Sequence, residues 1–95
     1  MATGWMIAVM VELAGERAPL RHFYAVAHED RAKAEWTAVD HALGLGCIPG
    51  SPIKGVEPVQ AIAALSAHKM DQLGLSKGQV RALGRQWPRR WVPYA

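Results

Sequence analysis

Apolar positions recur along this chain with two different periods, and the first change of period falls near residue 29. In residues 5–13, WMIAVMVEL, an extended backbone places Trp5, Ile7, Val9, Val11 and Leu13 on one face and Met6, Ala8 and Met10 on the other. Apolar character on both faces predicts a central strand, covered on either side. Residues 14–19, AGERAP, supply turn chemistry, and residues 20–27, LRHFYAVA, predict a second strand. His22, Tyr24, Val26 and His28 share one of its faces, and Arg21, Phe23, Ala25 and Ala27 the other. The two strands predict an antiparallel hairpin with a long loop.

From Glu29 the period is helical. Glu29 and Asp30 suit the positive end of a helix, and Ala32, Trp36, Val39 and Leu43 fall on one stripe, predicted to face the core. Glu29 with Lys33 and Arg31 with Glu35 stand one turn apart on the solvated side, and Gly44 and Gly46 stop the helix. Residues 44–58, GLGCIPGSPIKGVEP, are dense in glycine and proline and predict a loop, with room for a short strand at residues 53–56. Pro58 suits a first helical position, and Val59, Ile62, Ser66, Met70 and Leu73 give a mostly apolar stripe, so a helix is predicted over about residues 58–73. Ser76 and Gln79 have capping-box spacing, and Val80, Leu83 and Trp87 give the apolar face of a last helix ended by Pro88.

The expectation is therefore one small α+β domain over residues 1–95. An N-terminal antiparallel β-hairpin and a third short strand pack with three α-helices in the order β-β-α-(β)-α-α, and residues 88–95 form an extended C-terminal tail. A 51% hydrophobic and 20% charged composition is that of a globular chain. The apolar run from Trp5 to Val11 is too short to span a bilayer as a helix, so no membrane partner is expected. Residues 1–4 carry no side-chain charge of the kind that opens a secretory signal. The single Cys47 allows no intramolecular disulfide. Both observations favour a cytoplasmic location.

The net charge of +3 conceals an asymmetry. Residues 1–75 hold six Lys/Arg against eight Asp/Glu, whereas residues 76–95 hold five Lys/Arg and no acid. Within that basic segment Lys77, Arg81, Arg85 and Arg89 recur every four residues, so on a helix they form a cationic face opposite Val80, Leu83 and Trp87. The tail WPRRWVPY then interleaves Trp87, Trp91 and Tyr94 with Arg89 and Arg90. Cationic side chains neutralise phosphates and release counterions, and aromatic or guanidinium planes stack on unpaired bases. Lys77, Arg81, Arg85, Trp87, Arg89, Arg90 and Trp91 are therefore the candidate nucleic-acid-binding residues. The plainer alternative is a solvated arginine face with tail aromatics folded back over the sheet. Locally, Leu73, Gly74, Leu75, Ser76, Val80 and Leu83 are similar to a helix-turn-helix, although Met70 and Lys69 stand where such motifs carry a small and an apolar residue.

Other chemistries find less support. Gly44-x-Gly46 lacks the third glycine of a dinucleotide turn, and Lys54 does not close a phosphate loop. His22 and His28 lie too far apart along a strand to share an ion, and His41 with Cys47 has no metal-ligand spacing, so neither metal nor cofactor is expected. Cys47 or Ser51 with His41 and Asp40 or Glu57 is a chance combination without a nucleophile motif, which leans against an enzyme. The expectation is a non-catalytic binding module, with nucleic acid or an acidic protein surface as partner through residues 77–94. The alternative is a protein–protein or self-association module, a homodimer using the sheet edge or the tail aromatics.

Overall fold

The computed structural model describes residues 3–85. It is an α+β fold of four strands and two helices: β1 (Gly4–Val11), β2 (Leu20–Val26), α1 (Arg31–Leu43), β3 (Val59–Leu65), α2 (Ala67–Leu73) and β4 (Val80–Gly84). The strands form one antiparallel sheet in the order β3-β1-β2-β4. The hairpin stands where the alternating pattern placed it, with Trp5 opposite Val26 and Val11 opposite Leu20. β1 is the central strand its doubly apolar pattern demanded, and Met6, Ile7, Ala8, Val9 and Val11 are all buried.

Each face of the sheet carries its own apolar cluster. On one, Ile7, Val9, Val11, Tyr24 and Val26 pack against Ala34, Ala38 and Ala42 of α1. On the other, Met6, Ala8, Phe23, Ala25, Ala27 and Leu65 gather with Met70 of α2. Asp30 caps α1 by accepting the Lys33 N–H at 3.1 Å, and Ser66 caps α2 by accepting the Lys69 N–H at 3.3 Å. Trp5 Nε1 donates to the Glu29 carbonyl at 3.0 Å, fastening the approach to α1 onto the first strand.

Five expectations are corrected. The stripe of α1 that meets the sheet is Ala34, Ala38 and Ala42, not Ala32, Trp36, Val39 and Leu43; Trp36 is 70% exposed. Methyl-sized side chains let the helix backbone come close to a sheet already filled by Tyr24, Ile7 and Val9, which leaves the larger stripe on the helix flank.

The helix expected over residues 58–73 is instead a strand followed by a helix of seven residues. β1 is apolar on both faces and needs a neighbour on each edge; β3 supplies the second, anchored where the Met10 N–H donates to the Pro58 carbonyl at 2.8 Å. The short strand expected at residues 53–56 is only an isolated bridge between Ile53 and Val56.

The last helix, expected from residue 76, is a turn leading into β4 within the described residues. Gly78 at φ +86° cannot sit in a right-handed helix, and it occupies the third position of a turn closed by Gln79 N–H donating to the Ser76 carbonyl at 3.0 Å. The Ser76–Gln79 pairing does form, with the Ser76 N–H donating to Gln79 Oε1 at 2.7 Å, but it braces a turn rather than a helix. The helix-turn-helix likeness is therefore not realised: α2 ends at Gly74 in the left-handed conformation, and a strand follows it. The tail at residues 88–95 lies outside the described residues.

The alanine face gives a direct test. Ala38→Leu should destabilise the fold by about 1–3 kcal/mol through overpacking, whereas Trp36→Ala should change stability by no more than about 0.5 kcal/mol. Urea unfolding of the two variants measures both, and the reverse ranking would return Trp36 to the core.

Candidate functional site

The two edges of the sheet are chemically unlike, and β4 carries the basic residues. Lys77 lies in the turn before it, Arg81 in its second position and Arg85 just beyond it, all three exposed. Arg81 pairs in register with Ala25 of β2. Its Nη1 donates to the Leu73 carbonyl at 2.9 Å, so the cation sits at the negative C-terminal end of α2. This contact holds the guanidinium against the end of α2, on the sheet face that carries Ala25 and Met70. None of Lys77, Arg81 and Arg85 is in an ion pair with a carboxylate among the described residues, where Arg31 with Glu35 at 3.9 Å is the only salt bridge.

The structure thus brings Lys77, Arg81 and Arg85 to one edge, although not as the face of a helix. A bulge in the β2–β4 register between Phe23 and Tyr24, with Gly84 at φ +81°, breaks the line of the edge before Arg85. Trp87, Arg89, Arg90 and Trp91 lie outside the described residues. Next to this edge, a shallow open groove of about 190 Å³ runs between α2 and the start of the hairpin, with Glu29, Asp71 and Lys77 as its charged lining.

On the β2 surface, Arg21 Nη2 donates to Gln60 Oε1 at 2.8 Å, reaching across β1 toward β3 and away from the basic edge, and its guanidinium stands 5.6 Å from the Phe23 ring centroid. Arg21 was not among the candidate cations, and its strand position beside Phe23 was the available signal. His22, opposite Val9, is half-buried, and its Nε2 has no hydrogen-bond partner among the described residues. Burial pushes its pKa below the ordinary value of 6.5, and the nearby Arg85 pushes it the same way.

The opposite edge is β3, Val59–Leu65, which carries no charged residue. Beside it the exposed flank of α1 opens a shallow groove of about 270 Å³ lined by Ala32, Glu35, Trp36, Val39 and Val59. Ala32, Trp36 and Val39 among them belong to the stripe first assigned to the core. The signal that distinguishes the two stripes is the run of alanines at 34, 38 and 42, small enough to pack tightly.

The residues considered for catalysis do not assemble. Among the described residues no hydrogen bond joins any of Cys47, Ser51, His41, Asp40 and Glu57 to another, and no group of three or more His, Cys, Asp or Glu side chains converges as metal ligands would. His41 instead meets Tyr24 edge-on, with ring centroids 6.3 Å apart. Among the same residues no helix is long and apolar enough to cross a membrane.

Fold and surface together define a small α+β module: a four-stranded antiparallel sheet between two helices, with one cationic and one neutral edge. Compared with protein-family models, curated proteins and solved structures, the chain matches none.

The depressed pKa of His22 generates a pH prediction. The unfolded chain, at about 6.5, binds a proton more readily than the native chain, so stability present above pH 6.5 should be lost as pH falls below it. Urea midpoints between pH 7 and pH 5 should decline in the wild type and decline less in His22→Leu. Equal slopes would remove His22 as the cause.

Proposed function

We propose that this chain is a non-catalytic binding module that holds nucleic acid, in single-stranded form, along its β4 edge. The observation that carries the reading is the gathering of exposed Lys77, Arg81 and Arg85 on one sheet edge, free of ion pairs among the described residues, inside a twenty-residue segment with five cations and no acid. Such a row attracts a polyanion and gains affinity by releasing its condensed counterions. Single strands are favoured over duplex because Lys77, Arg81 and Arg85 lie on a strand and the turns beside it, and among the described residues no helix bears them toward a major groove. A sheet edge suits a flexible backbone that can follow it, with bases left to stack on neighbouring aromatic or guanidinium planes.

Fluorescence anisotropy of a labelled single-stranded oligonucleotide, titrated at several salt concentrations, tests the reading. Binding should weaken steeply as salt rises. Arg81→Ala with Arg85→Ala should flatten the log–log salt slope by about 1.4, as expected for two lost phosphate contacts at roughly 0.7 each on a single strand. No binding at micromolar protein, or a slope indifferent to the double substitution, would reject it. Stronger binding to an acidic peptide than to the oligonucleotide would make the partner a protein.

A further inference from the structure

We propose that binding at the β4 edge is proton-linked through His22: a polyanion held by Arg85 lets the His22 imidazole take up one proton from solvent, so nucleic acid is bound more tightly as pH falls. This linkage rests on the nucleic-acid reading above and regulates that same edge.

The bulge in β4 decides which side chains meet. In an unbroken strand, residues 81 and 85 share a face. Here Ala82 pairs with Tyr24 and Gly84 with Phe23, so Leu83 is an extra residue and the alternation beyond it is reversed. Arg81, opposite Ala25, stays on the face that carries Met70. Arg85 follows Gly84 and falls on the other face, level with His22.

His22 is poorly placed to hold a positive charge alone. Its Nε2 is buried without a hydrogen-bond partner among the described residues, and among the same residues it is in no ion pair. The groups around it come from four elements. On its own strand, Tyr24 is kept neutral by burial, which pushes its pKa above the ordinary value of 10.0. β1 brings Val9. α1 brings His41, whose ring centroid stands 6.3 Å from that of Tyr24, while Asp40 is turned about 100° further round the helix and is exposed. β4 brings Ala82, and Arg85 follows it. A proton on His22 thus meets neutral or cationic groups. Burial first and Arg85 second hold its pKa below the ordinary value of 6.5.

A phosphate on Arg85 changes that balance by supplying the missing negative charge. Access to this face is open, because Ala82, opposite Tyr24, is exposed. The anion offsets the repulsion from Arg85 and raises the proton affinity of His22, and by reciprocity the proton raises the affinity for the anion. The added affinity is therefore present at low pH and is lost as pH rises through the His22 pKa of the complex. A tenfold gain in proton affinity on binding strengthens the complex by at most about tenfold.

Two measurements on the full chain test the linkage. Proton NMR follows the Cε1–H resonances of the four histidines against pH, with and without a saturating single-stranded oligonucleotide. Anisotropy titrations of the same oligonucleotide cover the same pH range at fixed salt. The His22 pKa should lie below 6.5 in the free chain and move up in the complex. Affinity should rise at least about threefold from about pH 8 to about pH 6. His22→Gln should remove most of that rise, whereas His68→Gln, on α2, should keep it. Arg85→Ala should raise the His22 pKa of the free chain and abolish its upward move on binding, and Arg81→Ala, on the opposite face, should change neither. Salt-dependent binding with a His22 pKa that stays or falls overturns the linkage and leaves the nucleic-acid reading standing. A rise in affinity that survives His22→Gln overturns it as well. Absence of binding at every pH rejects that reading and the linkage with it. If His22→Gln does not fold, Arg85→Ala decides alone.

Discussion

β1 has apolar side chains on both faces, and the remainder of the molecule is arranged to keep water from them. Its odd positions lie under α1 and its even positions lie on the opposite face, where α2 contributes Met70. A strand buried in this way must also satisfy its backbone groups on both edges, since an unpaired amide in an apolar interior costs as much as a lost hydrogen bond. β2 meets one edge through a local hairpin. The other edge requires a strand from elsewhere, and this requirement makes residues 59–65 extended although they are rich in alanine and could form a helix. The Pro58 carbonyl, which accepts from Met10, fixes where that strand begins, and Ser66 fixes where it ends by capping α2.

Filling both faces from one short chain restricts which side chains can be used. Tyr24, Ile7 and Val9 occupy much of the space beneath α1, so the helix contributes only methyl groups at residues 34, 38 and 42. The bulkier Trp36 and Leu43 are displaced to the flank by this close approach. The exposed apolar stripe beside β3 is in this sense a consequence of how the core is packed.

The parts of the fold legible in the sequence were those whose pattern was self-sufficient. The hairpin could be read from period-two alternation and a turn, and α1 from its acidic N-terminus, its length and its glycine stop, because these are local signals. Which face of α1 points inward was not legible from hydrophobicity alone, since two stripes compete and the winner is set by the space the sheet leaves. Residues 58–73 misled for a related reason: Val59, Ile62 and Met70 fit a helical period, yet the missing edge of β1 outweighed that local preference. The signal for β4 was present in Gly78 and Gly84, which weaken a helix and are at ease at positive φ. Of the candidate site, the cationic character of Lys77, Arg81 and Arg85 was legible, while their arrangement along a strand edge was not.

The two edges that result answer the same physical problem in opposite ways. An antiparallel sheet of four strands that does not close into a barrel must end somewhere, and each end presents unpaired backbone to solvent. At β4 the chain places cations and a bulge, which discourage another strand while leaving positive charge facing outward. At β3 it places uncharged residues beside an apolar helix flank, with a bulge at the register shift opposite Met6 and Ile7 as the one irregularity of the strand.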